Sequence, residues 1–416
     1  MKNLWQQTRS FPPVVRLLMA NQFAINLAFY MLMPYLAAHL ADGLGLAAWA
    51  VGLVLGVRNF SQQGMFLIGG TIADRLGYKI PIMTGCLLRT VGFGLLGWVD
   101  NLPALIAASA ATGFAGALFN PAVRAYLAVE ADERRVDAFA AFNVFYQAGM
   151  LLGPLLGLTL LTVDFRLVCT ISAALFAGLT LLQWRALPVR HAETTDDSRE
   201  SVRAQWRTVV ANRPFVLFSA AMIGSYVLTF QVYLAVPLAA TDALGAEGTT
   251  ATSVLFVVSA AVAVSGQLRL TGWAKQRWSP QQALVRGLAA MGLAFLPLVL
   301  APRSSSSAVL AGLVVAVVLL AAGAAVVYPF EMDTVVTLSG NRLVATHYGL
   351  YNTVSGLGIT VGNLVTGALW DFARRHDALW LPWTALTLTG LACAASVAVL
   401  ARAGQLTAPA SPPVPA

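Results

Sequence analysis

The chain has 416 residues, of which 58% are hydrophobic and only 11% are charged, with a formal net charge of +8. Soluble domains carry about 25% charged residues, so a chain this poor in charge is excluded from the soluble globular class. Its basic excess is spread over short loops with no concentrated block, which excludes a nucleic-acid surface.

Apolar runs recur along the sequence, and each is long enough, at about 20 residues, to cross a hydrocarbon core about 30 Å thick. They are too long for the short alternating strands of a β-barrel. The sequence therefore predicts an all-α polytopic membrane protein with spans at about 14–40, 48–71, 80–99, 103–128, 138–162 and 166–187, then 214–240, 249–271, 281–301, 308–332, 344–370 and 379–401. This gives an N-terminal six-helix half (1–187), a polar linker (188–213), a C-terminal six-helix half (214–402) and a Pro- and Ala-rich tail (403–416) expected to be disordered. The basic segment before span 1 is expected to lead into an uncleaved first span and not into a signal peptide, because the apolar run after it is too long and contains Asn21, Gln22 and Asn26. Cys86, Cys169 and Cys393 fall inside apolar runs without ligand spacing and read as packing residues.

Most Lys and Arg, including Lys2, Arg9, Arg75, Lys79, Arg134, Arg135 and the six arginines from Arg185 to Arg213, fall on one side of this map. Arg166, Arg303, Arg374 and Arg375 fall on the other. Positive charge stays inside, so both termini and the linker are expected in the cytoplasm of a multi-pass cell (plasma or inner) membrane protein.

The two halves share landmarks in the same order. Gln22, Asn26, Tyr30 and Pro34 in span 1 are spaced as Ser225, Thr229, Tyr233 and Pro237 in span 7. Pro121 in span 4 matches Pro329 in span 10; Asn143, Gly149 and Gly153 in span 5 match Asn352, Gly358 and Gly362 in span 11; Gly70 and Lys79 match Gly266 and Lys275. Such order argues for duplicated, pseudo-symmetric halves, an architecture that transporters use with the substrate site between the repeats.

After span 2 comes a charged turn, Gly70-Thr71-Ile72-Ala73-Asp74-Arg75-Leu76-Gly77-Tyr78-Lys79. Gly70 permits close helix approach and Gly77 a positive φ. Asp74 is an anion able to face the N-terminal end of a neighbouring helix, and Arg75 and Lys79 can pair with Glu130, Asp132 or Glu133. In span 5, Gly149, Gly153 and Gly157 form a smooth packing face beside Pro154.

Gly70, Asp74, Arg75, Gly77 and Lys79 resemble the signature loop of the major facilitator superfamily, and Gly149, Gly153, Pro154 and Gly157 resemble its span 5 antiporter motif. The resemblance covers all twelve spans and is closest to the drug:proton antiporter branch. It implies that the helix facing Asp74 is span 11 and that this contact latches the halves. The branch's arginine-bearing span 4 signature is missing, since Ala108-Ser109-Ala110-Ala111-Thr112 precede Gly113.

Polar residues inside spans are costly and belong on interior faces. Gln22, Asn26 and Tyr30 share one helix face, as do Ser225, Thr229 and Tyr233; Arg58 with Gln62, Asn143 with Gln147, and the pairs His347–Tyr351 and Tyr348–Asn352 extend the set. Together they outline a cavity with polar points among aromatic and aliphatic walls, or a hydrogen-bonding set that holds the bundle. Arg58, near the middle of span 2, and Arg89, in span 3, require a carboxylate, carbonyls, water or an anionic substrate group beside them. For proton coupling, the acids at membrane depth are Glu331 and Asp333, with His347 as a further candidate and a gate or salt bridge as the competing role.

An enzyme is not expected. His39, His191, His347 and His376 stand apart from any HExxH or GxSxG string, and no phosphate-binding Gly-Lys-Ser/Thr loop occurs. The expected function is cofactor-free secondary transport by a monomer that uses the proton gradient to export small amphipathic drugs or metabolites, with H+ and the small-molecule substrate as partners within the lipid bilayer. An importer or uniporter of a small nutrient is the alternative, and the charges of Arg58 and Arg89 would suit an anionic one. A sensor or scaffold is weaker, because a linker of about 26 residues is too short for an output domain.

Overall fold

The computed structural model describes residues 2–189, 201–301 and 305–407. The helices are α1 (Lys2–Arg9), α2 (Pro13–Ala38), α3 (Ala48–Gln63), α4 (Phe66–Leu76), α5 (Lys79–Trp98), α6 (Leu102–Ala131), α7 (Arg135–Leu161), α8 (Phe165–Ala186) and α9 (Val202–Ala211). They continue as α10 (Arg213–Phe230), α11 (Ala235–Leu244), α12 (Gly248–Arg277), α13 (Pro280–Leu293), α14 (Leu296–Leu300), α15 (Ser306–Ser339), α16 (Val344–Arg375) and α17 (Trp380–Arg402). Hydrocarbon offers backbone groups no partner, so each apolar run satisfies its own N–H and C=O groups as a helix.

Among the described residues, nine segments are long and apolar enough to cross a membrane, and one of them, Leu102–Leu161, holds both α6 and α7. The interrupted pair α3–α4 and the more polar α16 complete the twelve. Three expected continuous spans are broken. Span 2 breaks at Gly64 and Met65, between α3 and α4. Span 7 passes through a short tight helix at Gln231–Tyr233, and span 9 breaks between α13 and α14. The last two have a proline cause: Pro237 and Pro297 cannot donate to the carbonyls of Tyr233 and Leu293, where the preceding helical segments end.

The helices cluster in two compact units: Met1–Val209 with Arg342–Thr353, and Val210–Asn341 with Val354–Ala416. Helix α16 thus contributes its residues up to Thr353 to unit 1 and the remainder to unit 2. In unit 1, α2 packs on α7 and α8, α5 on α6 and α8, and α3 and α4 on α6. In unit 2, α13 packs on α15 and α17, α12 on α15, and α10 on α17.

Local chemistry fixes the ends. Asn101 Oδ1 accepts the Ala104 N–H at the start of α6, Asp164 caps α8, and Ser279 with Gln282 forms a capping box on α13. Leu152, Leu155, Leu156 and Leu158 are exposed on α7 while Gly149, Gly153 and Gly157 are buried, the pattern of a helix with lipid on one side and helices on the other. Exposed Trp98 ends α5, Trp184 lies near the end of α8 and Trp380 begins α17, where indoles suit the interface.

Within α15, Pro329 has no N–H for the carbonyl of Ala325. Gln267 Nε2 and Thr271 Oγ1, both from α12, donate to that oxygen at 2.6 and 3.1 Å. In α6, Pro121 frees the carbonyl of Ala117, and Gly69 of α4 lies so close that a Cβ there would be 2.0 Å from its oxygen.

The linker carries α9, whose Gln205 and Val209 are buried. Residues 190–200, including His191, lie outside the described residues, as do Arg303 and most of the expected tail, 408–416. The tail's first residues are ordered by hydrogen bonding: Gln405 N–H donates to the Leu400 carbonyl at 3.0 Å and Leu406 is buried.

Candidate functional site

Helix α4 ends at Leu76, and Gly77, with φ of 81°, turns the chain into α5 at a position where a Cβ would be strained. In the last turn of α4, Asp74 is 92% buried, with 8% exposure. Its Oδ1 accepts the Ala345 N–H at 3.1 Å; its Oδ2 accepts the Thr346 N–H at 2.7 Å and the Thr346 hydroxyl at 2.6 Å. These donors lie in the first turn of α16, where backbone N–H groups have no partner within the helix and carry partial positive charge. The approach is backbone to backbone. A Cβ on Gly70 would lie 2.1 Å from the Ala345 oxygen, and one on Gly349 would lie 2.5 Å from the Phe66 oxygen.

The same turn is tied to the linker helix: Arg75 Nε donates to Gln205 Oε1 at 3.1 Å and Trp206 Nε1 to Thr71 Oγ1 at 2.8 Å. Lys79 departs from the sequence expectation. Its ammonium donates to the Trp184 carbonyl at 2.8 Å rather than to Glu130, Asp132 or Glu133, because the end of α8 brings an unsatisfied helix-terminal carbonyl within reach.

The α7 glycines form a track for α2. A Cβ at Gly149 would meet the Phe23 oxygen at 2.5 Å, at Gly153 the Leu27 oxygen at 2.8 Å, and at Gly157 the Met31 oxygen at 2.1 Å. Beside the track, Tyr35 donates its hydroxyl to the Pro154 carbonyl at 2.6 Å.

Of the polar set, unit 1 gathers most. Gln22 and Asn26 are buried and linked, Asn26 Nδ2 donating to the Gln22 carbonyl at 2.7 Å. The hydroxyls of Tyr30 and Tyr146 are 3.4 Å apart, and Asn143 and Gln147 are half-buried on the same α7. Arg124 Nη1 donates to Asn352 Oδ1 at 2.9 Å. Tyr351 has no exposed surface, so it packs in the core rather than lining an open cavity.

In unit 2 Ser225 and Thr229 keep their common face on α10, one turn apart, but Tyr233 leaves it. Ser225 is buried and Thr229 exposed, each donating to a carbonyl of its own helix, Met222 and Ser225 respectively. Tyr233 is 50% exposed against Phe230 and Phe256. The physical reason is that α10 ends at Phe230, and the tighter turn that follows changes the angular step before Tyr233.

Arg58 and Arg89, on the consecutive spans 2 and 3, converge on one ring: each guanidinium carbon lies 4.8 Å from the centre of Phe29. The two cations are therefore within about 10 Å of each other, where an effective dielectric near 20 leaves a repulsion of at least about 1.7 kcal/mol. Arg58 donates to Asn59 Oδ1 at 2.9 Å and to Gln62 Oε1 at 3.2 Å. Arg89, 6% exposed, rests against Phe29 and Phe176, and the Nε of each arginine is buried without a hydrogen-bond acceptor.

Glu331, on α15 in unit 2, is 3% exposed, and Asp333 is half-buried. His347, on α16 in unit 1, is also 3% exposed; its Nδ1 is 2.8 Å from the Leu343 carbonyl, an acceptor, so that nitrogen carries the proton. No group of three or more His, Cys, Asp or Glu among the described residues could hold a metal ion.

A profile described as Major Facilitator Superfamily matches residues 18–363. The chain belongs to the Major Facilitator Superfamily. It is 52% identical over 392 residues to an uncharacterized MFS-type transporter of Mycobacterium tuberculosis, covering 94% of this chain and 93% of that one. It is 31% identical over 379 residues to the multidrug resistance protein MdtH of Salmonella typhi, covering 90% of each. The crystal structure of the human organic anion transporter MFSD10 (TETRAN) shares its fold, with a TM-score of 0.74 at 17% identity over 93% of this chain and all of that one.

Membership in the Major Facilitator Superfamily makes the chain a multi-pass membrane transporter of small molecules, in a class that is not enzymatic and works without a cofactor. Sequence reasoning about this superfamily member missed several contributors. Thr346 was legible as a hydroxyl in the first turn of span 11. Phe29, Gln205 and Trp206 carried no local signal, because their partners lie far away in the chain.

Proposed function

We propose that this superfamily member is a secondary active exporter of small amphipathic molecules, coupled to the proton gradient and working as a monomer in a bacterial inner membrane with both termini in the cytoplasm. The observation that carries the reading is the seat of α16 on Asp74. One buried carboxylate holds the first turn of a helix that runs on from unit 1 into unit 2. A contact made of a few charge-assisted hydrogen bonds and glycine-permitted backbone approach is strong enough to define a state and weak enough to be released in each cycle. The relatives named for multidrug resistance support efflux as the direction.

Proton coupling needs a group whose environment changes between states. Glu331 is assigned this role, with Asp333 and His347 as its alternates, since all three sit within long spans of the bundle and two of them are buried. The test is transport in proteoliposomes with an imposed pH gradient, using the cation ethidium and the anion 1-naphthoate as probes. Gradient-driven movement of either probe that falls in Glu331→Gln supports the reading. Flux of the transported probe that is indifferent to the gradient removes proton coupling, and flux only down its own gradient would instead indicate a uniporter.

A further inference from the structure

Two guanidinium groups lie against one ring, and no carboxylate among the described residues pairs with either. Proteins normally give a buried arginine an acid, because an uncompensated charge away from water is expensive. Here, around the buried Arg89 and the half-buried Arg58, the partners are neutral: the amide oxygens of Asn59 and Gln62 for Arg58, and only aromatic faces for Arg89.

The surroundings show room made for the pair. Gly116 of α6 lets both side chains come close; a Cβ there would be 3.0 Å from Gln62 Cδ and 3.2 Å from Arg89 Nη2, tight enough that Gln62 and Arg89 would have to shift. Gln62, held by Arg58, and Arg89 thus converge over one glycine. The wall beside them is apolar, with Phe29, Phe93 and Phe176 in ring contact.

We propose that Arg58, Arg89 and Gln62 form a carboxylate-binding subsite, so that the transported solute is an organic acid carried as its anion, with its apolar body against the phenylalanines. This rests on the transporter reading above and names its substrate class. Arginine suits the role because its planar fork matches a carboxylate bidentately and stays charged. An organic anion would supply the missing counter-charge, while a cationic drug would add to the existing repulsion.

The test uses the full chain in lipid nanodiscs. Thermal stabilisation is measured with benzoate, 1-naphthoate and decanoate, with the primary amide of each, and with chloride and phosphate alone. Carboxylates are expected to stabilise and their amides not, with apparent affinity roughly tenfold to a hundredfold weaker in Arg58→Gln and Arg89→Gln. Arg89→Lys, which keeps the charge, controls for misfolding and should retain part of the binding. Equal stabilisation by amides, no stabilisation by any carboxylate, or carboxylate binding unchanged in both glutamine variants would overturn the proposal; so would full saturation by chloride or phosphate. Flux of ethidium and of the acids in proteoliposomes separates the two readings. If ethidium moves but the acids neither bind nor move, the subsite fails and the transporter reading stands; if nothing moves, the transporter reading fails while the binding data still judge the subsite.

Discussion

Thr346 meets Asp74 twice, with its backbone N–H and its side-chain hydroxyl both donating to Oδ2 at 2.7 and 2.6 Å. A doubled contact on one oxygen fixes the carboxylate plane, which leaves Oδ1 aimed at the Ala345 N–H.

Asp74→Asn tests that geometry. An amide has one acceptor oxygen, so either the Ala345 or the Thr346 N–H loses its partner and faces an NH2 group instead, at about 1–3 kcal/mol. The expected outcome is normal membrane insertion with transport reduced by an order of magnitude or so. A rate equal to wild type at equal protein level would exclude the seat of α16 from the transport cycle.

Gly157→Ala places a methyl group 2.1 Å from the Met31 oxygen, so α2 and α7 must part. Overpacking of this kind costs about 1–3 kcal/mol. The melting temperature in detergent should fall by several degrees, whereas Gly178→Ala in the interior of α8, with open space around its Cβ, should hold or raise it slightly.

Gln267→Leu uncovers the Ala325 carbonyl on one side, and Thr271→Val on the other. Each single change leaves one donor in place, so each should be mild, while the double variant strands a buried oxygen at about 1–3 kcal/mol. Unfolding midpoints of the four proteins in the cycle measure this; additivity would show that the two donors act independently.

Trp206→Phe removes the bond to Thr71 Oγ1 and keeps the ring. A loss of about 0.5–1.5 kcal/mol is expected, read as faster proteolysis in the linker between the two halves. Unchanged cleavage would mean that the linker helix is held by other contacts.

The architecture was legible because membrane spans announce themselves by length, and the turn because glycine and aspartate are rare choices there unless backbone must approach backbone. Gly70, Asp74 and Gly77 each mapped onto a geometric need. Long-range partners were illegible for the opposite reason. Lys79 could reach many groups, and only the position of α8 selects Trp184. Arg58 and Arg89 were each recognisable as costly, yet nothing local reveals that Phe29 joins them. Tyr233 departs from the face of Ser225 and Thr229 because a helical wheel assumes an unbroken helix, and span 7 is broken between Thr229 and Tyr233.

The carbonyl of Ala325 carries a consequence for how the protein is made. Helix α15 enters the bilayer from the ribosome with a backbone acceptor that it cannot satisfy itself, because Pro329 stands where the donor should be. The donors reside on α12, which precedes α15 in the chain, so the acceptor is covered only when the two helices pack. Until then the proline leaves a polar group exposed to hydrocarbon, and that cost favours the assembly of the two helices over their separate insertion.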